Sequence, residues 1–100
     1  MGLVPFGTIE WDDEDDPEGN LAHCLRHGVN EEIVSAVLGG QPVSIQMTLH
    51  TADIAMVGPD RKGQCWTILF DTYADGGYRP ITGWESEPEE IAEWIRATRR

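Results

Sequence analysis

The sequence predicts an α+β domain in which an antiparallel sheet of four or five strands packs against helices, in the order β-α-α-β-β-β-β-α. Helical patterns occur early in the chain and again at its end. Between them lies a run of β-prone segments separated by turn residues. With 100 residues the chain is long enough for one hydrophobic core, so we expect residues 1–100 to form a single domain.

The first elements are a short strand and a helix. Residues 8–11 are predicted to form the strand, which ends at an acidic loop (residues 12–18). A helix follows from Gly19 or Asn20 to Gly28, because glycine is the usual residue for the left-handed conformation that ends a helix. Its predicted apolar face consists of Leu21, Cys24 and Leu25. We expect that face to pack against the sheet.

The opposite face of this helix carries polar side chains that can transfer protons or bind anions. At 100° per residue, His23 and His27 fall on this face, with Arg26 beside them. An imidazole titrates near neutral pH, which suits it to general acid–base chemistry. The helix therefore holds the first candidate site residues.

Asn30 is predicted to cap a second helix, with two glutamates in its first turn and Gly39-Gly40 at its end. Four strands are then expected over residues 43–49, 52–57, 65–70 and 78–84. Residues 65–70 are nearly all apolar, which is typical of a central strand covered on both sides. We expect the helices to lie on one side of this sheet.

The last helix has the clearest start signal in the chain. Ser86-Glu87-Pro88-Glu89 has the pattern of a capping box with proline in the first turn. The predicted buried stripe of this helix consists of Ile91, Trp94, Ile95 and Thr98.

The chain is strongly acidic, and its charge is unevenly distributed. It has 18 acidic and 7 basic residues and a formal net charge of -11, and seven of the acids lie between Glu10 and Glu18. This charge opposes long-range attraction of RNA. The acidic loop is either simply solvated or a docking surface for a basic partner. The candidate partner-binding residues are Asp12, Asp13, Glu14, Asp15 and Asp16.

The location of the protein is inferred from what the chain lacks. No apolar run approaches the roughly 20 residues of a membrane-spanning helix. Cys24 and Cys65 form no C-x-x-C pair. We therefore expect a cytoplasmic protein with free thiols, without membrane association and without a cofactor.

Several short motifs resemble the BrnT family, the toxins of bacterial type II toxin–antitoxin pairs. The matching residues are Trp11-Asp12, Asn20, the run Arg26-His27-Gly28-Val29, Glu32, and Arg79-Pro80-Ile81-Thr82. His23 matches a histidine of some relatives. The matches follow the family's order over most of residues 8–84.

The resemblance implies a RelE-like fold, metal-independent ribonuclease activity and a dimeric ribbon-helix-helix antitoxin as partner. Such cleavage needs a base for the ribose 2′-hydroxyl, an acid for the leaving oxygen and positive charge at the phosphate. The candidate catalytic residues are His23, His27 and Arg79. The candidate substrate-binding residues are Arg26, Arg61 and Lys62.

The chain departs from the family at two expected cations. The family usually has arginine after the glycine that ends the second hairpin strand, where this chain has Pro59. A second arginine, shortly after the late-strand one, is replaced by Gly83-Trp84. Arg61 or Lys62 is a candidate substitute from the adjacent turn. The losses leave a second function open: a catalytically inactive acidic module that binds a basic protein or imitates a nucleic acid.

Two weaker hypotheses concern a metal and a stacking surface. The spacing His23-x-x-x-His27 permits metal binding from one helical face, but further ligands such as His50 or Cys65 would have to converge by folding, so no metal is predicted. Trp84 is expected in the core, with stacking on a base as the alternative.

Overall fold

A computed structural model of the chain describes residues 8–45 and 52–99. In this part of the chain there are three helices and four strands: α1 (Asn20–Arg26), α2 (Glu31–Gly39), β1 (Val43–Ile45), β2 (Ile54–Pro59), β3 (Cys65–Thr72), β4 (Tyr78–Glu85) and α3 (Pro88–Thr98). The strands form one antiparallel sheet in the order β1-β2-β3-β4. The predicted α+β class with an antiparallel sheet is confirmed.

The predicted first strand is wrong. Ile9 makes only an isolated parallel bridge to Tyr78. The Glu10 N–H donates to the Tyr78 carbonyl, and the Tyr78 N–H donates to the Thr8 carbonyl, both at 2.8 Å. The pairing stops there because the next N–H groups turn away from the sheet, as shown by that of Asp12, which donates to a side chain of α1. The described order is therefore α-α-β-β-β-β-α.

The sheet has helices on both faces, so the prediction that they lie on one side is wrong. Met56, Ile68 and Phe70 pack in the main core with residues of α1 and α2. Because side chains alternate along a strand, their neighbours Val57 and Leu69 point to the other face. Both are buried, and α3 packs against β1 and β2. The sheet therefore has a second apolar face, which α3 buries. The domain accordingly has three layers: α1 with α2, the sheet, and α3.

The inner strands agree with the sequence analysis. Residues Cys65 to Phe70 of β3 are buried throughout, which confirms the predicted central strand. β2 begins at Ile54 and continues through Gly58 and Pro59, which had been expected in the following turn. Residues 46–49 of the predicted strand that starts at Val43 lie outside the described residues.

The two helices on the main core face start and end largely as predicted. The Asn30 side chain accepts a hydrogen bond from the Ile33 N–H at 2.8 Å, which confirms the cap of α2. Gly28 has φ +82°, the left-handed conformation expected after α1. Leu25, however, is 52% exposed rather than buried. The turn at Gly28 places the fully buried Val29 beneath the end of α1. Val29 fills the core at this position, and Leu25 remains at the surface.

The last helix makes several polar contacts with the sheet and the segment before it. Its N-cap is Glu87 rather than Ser86, with Glu90 as the other member of the capping box. One carboxylate oxygen of Glu90 also accepts hydrogen bonds from Thr67 Oγ1 at 2.8 Å and from Trp84 Nε1 at 3.1 Å. No residue of α3 is fully buried. Of the predicted stripe, Ile91, Trp94 and Thr98 are half-buried and Ile95 is exposed. The helix rests on the edge half of the sheet, β1 and β2.

Candidate functional site

A polar cluster built on Asp12 and Arg79 joins the N-terminal segment to β4. The two terminal nitrogens of Arg79 donate to the two carboxylate oxygens of Asp12, at 3.0 and 2.7 Å. Glu10 Oε1 lies 3.5 Å from Arg79 Nη1, and the Tyr73 hydroxyl donates to the same oxygen at 2.8 Å. A bidentate contact of this kind occupies the guanidinium in the geometry that it would use for a phosphate.

Asn20, the first residue of α1, fixes this cluster from the inside. Its side chain is buried; Oδ1 accepts the Asp12 N–H at 2.8 Å, and Nδ2 donates to the carbonyls of Glu10 and Pro80 at 3.0 and 2.9 Å. The Asn20 N–H in turn donates to Asp12 Oδ2 at 2.9 Å. Both polar atoms of the amide therefore have partners, and the matched residues Asp12, Asn20 and Arg79 meet in one network.

The residue before Asn20 has to be small for this arrangement. A Cβ atom at Gly19 would lie 2.7 Å from the Asp12 Cβ. Real Cβ atoms do not approach each other so closely, and the Asp12 side chain cannot move aside because the polar cluster holds it. Glycine at this position lets the start of α1 approach the aspartate.

The cluster fixes the charge of both partners. The hydrogen bonds from Arg79, and next the one from the Asn20 N–H, lower the pKa of Asp12 from 3.8 to about 2. The Asp12 carboxylate raises the pKa of Arg79 further above its already high value. The hydrogen bond to Glu10 raises the pKa of Tyr73. At neutral pH one cation thus faces two carboxylates, and the cluster as a whole is negative.

The two imidazoles of α1 lie side by side on its outer face, as predicted. The ring centroids of His23 and His27 are 4.8 Å apart, and the ring planes are inclined by 49°. His23 is half-buried and His27 is exposed. Arg26 extends toward the acidic loop, where its Nη2 donates to the Pro17 carbonyl at 2.5 Å. The partners of Arg79 are the acids of the cluster, so it is not hydrogen-bonded to either imidazole in the described part of the chain.

Arg61 and Lys62 lie in the turn between β2 and β3, next to the start of α2. They line a hollow of about 100 Å³ together with Asn30, Glu32, Ile33 and Asp60. This turn precedes β3, whose Trp66 pairs with Glu85 at the end of β4. Arg79 lies at the beginning of β4, roughly 20 Å away along a strand that rises about 3.3 Å per residue. The candidate residues therefore form three groups: Asp12 with Arg79, the imidazoles with Arg26, and Arg61 with Lys62.

Pro59, Gly83 and Trp84 stand where the BrnT resemblance implies cations, and each has a structural role here. A Cβ atom at Gly83 would lie 2.9 Å from the Thr67 carbonyl oxygen and 3.1 Å from Val29 Cγ2, so no larger residue fits there. Trp84 is half-buried and hydrogen-bonded to α3 through its indole nitrogen. Pro59 ends β2, paired with Cys65. All three positions serve the sheet and its helices.

The acidic loop is ordered by its own side chains. Asp13 Oδ1 accepts the Asp15 N–H and Asp16 Oδ1 accepts the Glu18 N–H, each at 3.0 Å. Backbone hydrogen bonds from Asp16 to Asp13 and from Gly19 to Asp16 close two successive turns. Such turns are typical of aspartate, whose side chain bonds the backbone two residues on. Residues 13–18 are all exposed, so the loop presents carboxylates on a preformed backbone.

Three other possibilities can be assessed in the described residues. Among them, no group of three or more His, Cys, Asp or Glu side chains is placed to hold a metal ion, and none of the helices is long and apolar enough to cross a membrane. Cys24 is completely buried, and burial raises its pKa to about 11. It is therefore a core residue and not a nucleophile. His50 lies outside the described residues.

The sequence points to Asp12 as a partner-binding residue and to Arg79 as a catalytic one, but it does not indicate their contact. Asn20 has no predicted role beyond the motif match. The one sequence signal for the contact was that Asp12, Asn20 and Arg79 all belong to the motifs that resemble the BrnT family.

Comparison of the chain with models of protein families, with curated proteins and with solved structures finds no match. The BrnT resemblance consequently remains a prediction based on the motifs.

The first prediction concerns the buried amide. Asn20→Ala should lower the free energy of unfolding by about 2–3 kcal/mol, because the buried Pro80 carbonyl and two further backbone groups lose their partners. The matched control is Asn30→Ala, which removes an exposed helix cap and should cost about 1 kcal/mol. Urea unfolding followed by circular dichroism measures both. An equal or smaller loss for the Asn20 variant contradicts the network.

The second prediction is the pH dependence of the Asp12–Arg79 contact. The folded pKa of Asp12, about 2, lies below its unfolded value near 3.8. The contact therefore stabilises the protein fully above about pH 5 and is lost as the pH falls from 4 to 2. The difference in unfolding free energy between the wild type and Asp12→Asn should shrink over that interval.

The control for this titration is Glu85→Gln, which neutralises an exposed carboxylate far from the cluster. Its difference from the wild type should change little between pH 5 and pH 2. If the Asp12→Asn difference is equally flat, Asp12 is not held charged by Arg79.

Proposed function

We propose that this protein is an acidic binding module, related in its motifs to BrnT toxins, that docks a basic protein through its acidic loop. The observation that carries the proposal is the pairing of Arg79 with Asp12, the first residue of that loop. The cation that RNA cleavage would place at a phosphate is already occupied by a carboxylate. The acidic residues between positions 13 and 18, in contrast, are exposed to solvent.

The electrostatic balance supports a basic partner over RNA. Non-specific affinity for nucleic acids comes mostly from cations that replace phosphate counterions, and this chain has a formal net charge of -11. A phosphate would also have to displace Asp12 from a bidentate contact and leave that carboxylate without its partner. A basic protein meets no such competition, and attraction between opposite charges speeds its association.

The order of the loop lowers the cost of binding. A flexible segment loses conformational freedom when a partner immobilises it, whereas a preordered one has already done so. The Asp13 and Asp16 turns hold the backbone, and the Arg26 contact with the Pro17 carbonyl ties the loop to α1. The exposed side chains of Glu14, Asp15 and Glu18 are then free to contact cations on the partner.

The motif resemblance suggests which partner to test. It implies a ribbon-helix-helix antitoxin, and the natural candidate is the product of an open reading frame adjacent to the gene for this chain. A basic segment of such a protein is complementary in charge to the acidic loop.

The third prediction tests docking with three neutral substitutions that spare the structure of the loop. In the variant Glu14→Gln, Asp15→Asn, Glu18→Gln, the carboxylates of the two internal turns and of Asp12 are kept. The affinity for the co-expressed basic partner should fall at least about tenfold at low salt, and the dependence of the affinity on salt concentration should become shallower. Isothermal titration calorimetry at two or more salt concentrations measures both quantities.

The matched control is Glu31→Gln, Glu85→Gln, Glu89→Gln, which removes the same net charge from exposed sites elsewhere. A general charge effect would weaken both triple variants equally, and that result would refute docking at the loop. A partner that binds the loop variant as tightly as the wild type would do the same.

A second candidate function rests on the imidazole pair. Rings whose centroids are 4.8 Å apart can divide the base and acid roles of RNA cleavage between them. This function requires a phosphate to approach His23 and His27 with Arg26 as the nearest cation, since Arg79 is engaged by Asp12.

The fourth prediction follows from that alternative. If the chain freed from its partner cleaves RNA, His23→Ala and His27→Ala should each lower the rate at least about a hundredfold, because each removes one proton-transfer group. His50→Ala serves as the control for loss of a histidine. Absence of cleavage by the wild type, or equal rates in all variants, eliminates the ribonuclease function at this pair.

A further inference from the structure

We propose that His23 and His27 form a two-histidine chelating site for Zn²⁺ on the outer face of α1. The site is separate from the docking surface of the acidic loop and does not depend on the function proposed for that surface. It takes a divalent cation of intermediate softness as its ligand, with solvent molecules in the other coordination positions.

The spacing and the observed geometry suit one shared metal ion. The two histidines are four residues apart, which is the spacing by which zinc metalloproteases present two ligands from one helical face. Zinc–nitrogen bonds of about 2.0–2.1 Å place two nitrogens on a tetrahedral ion roughly 3.3 Å from each other. Ring centroids separated by 4.8 Å and planes inclined by 49° allow such an approach with small side-chain rotations.

The imidazoles are available for coordination. Among the hydrogen bonds of the described residues, none involves a ring nitrogen of either histidine, whereas the neighbouring Arg26 is engaged with the Pro17 carbonyl. The helix beneath them is anchored by the buried residues Asn20, Leu21 and Cys24. A fixed backbone under the half-buried His23 and the exposed His27 reduces the conformational entropy that metal binding has to overcome.

The surroundings of the two histidines suit zinc binding but not zinc-dependent hydrolysis. In the zinc protease motif a glutamate follows the first histidine and acts as a general base, whereas here that residue is Cys24, whose thiol is fully buried. With two protein ligands, the ion keeps an open coordination sphere and a moderate affinity. A chain with a formal net charge of -11 attracts cations in general.

The choice of metal distinguishes this site from the carboxylates of the acidic loop. Imidazole nitrogen suits Zn²⁺, whereas Mg²⁺ and Ca²⁺ prefer oxygen ligands. Zinc held by the histidines should therefore resist competition from excess Mg²⁺. Zinc held by loop carboxylates should be displaced by it.

The fifth prediction tests the site with ZnCl₂ and the full chain, purified without a histidine tag. Calorimetric titration should show one Zn²⁺ per chain in the presence of excess Mg²⁺. His23→Ala and His27→Ala should each raise the Kd at least about tenfold, the scale of loss when a metal site is disrupted. His50→Ala and the loop variant Glu14→Gln, Asp15→Asn, Glu18→Gln should bind zinc like the wild type.

A stability measurement provides the second readout. Zinc that binds only the folded chain raises the melting temperature, and the rise grows with the logarithm of the free zinc concentration above the Kd. This rise should disappear in the His27→Ala variant. Because His27 is exposed, the variant should unfold like the wild type in the absence of zinc. Zinc binding that survives both α1 substitutions, that is lost in the loop variant or in His50→Ala, or that does not saturate below millimolar zinc overturns the proposal.

Discussion

The contact between Asp12 and Arg79 is the interaction on which the arrangement of the candidate site depends. The two residues are 67 positions apart in sequence, and Asn20 bonds to both neighbourhoods, to the backbone of Asp12 and to the carbonyl of Pro80. This network holds the N-terminal segment and the start of α1 against β4, together with Ile9 and Trp11, which pack against the main core. The Asn20 side chain is buried, so its polar atoms must keep their partners for the segment to stay in place. Asp12 and Arg79 remain partly exposed to solvent.

The same contact also determines which charges are available for function. It neutralises Arg79 and leaves Glu10 and the acidic loop in excess, so the surface around the start of α1 is negative. A protein that held phosphate at this position would need the reverse balance. The motifs that resemble a ribonuclease toxin are thus present here in a negatively charged setting, and this combination is the basis of the proposed docking of a basic partner.

The parts of the fold that the sequence predicted correctly depend on local interactions. The Asn30 cap, the left-handed Gly28 and the apolar run of β3 are encoded within a few residues, and all three are confirmed. The failures concern contacts between distant segments. Residues 8–11 have the composition of a strand, yet Asp12 bonds to α1 instead of a strand. The role of Arg79 could not be predicted because its partner, Asp12, is distant in sequence and comes close only when the chain folds.

The geometry of β4 separates the possible binding surfaces from one another. Arg79 and the acidic loop lie at the beginning of this strand, where the loop is joined to α1 through the contact of Arg26 with the Pro17 carbonyl. The turn with Arg61 and Lys62 lies beyond its other end, next to the start of α2. A partner docked on the loop would therefore leave that turn exposed. The cations Arg61 and Lys62 of the turn consequently belong to a different surface. They do not offset the negative charge that a docked partner would contact.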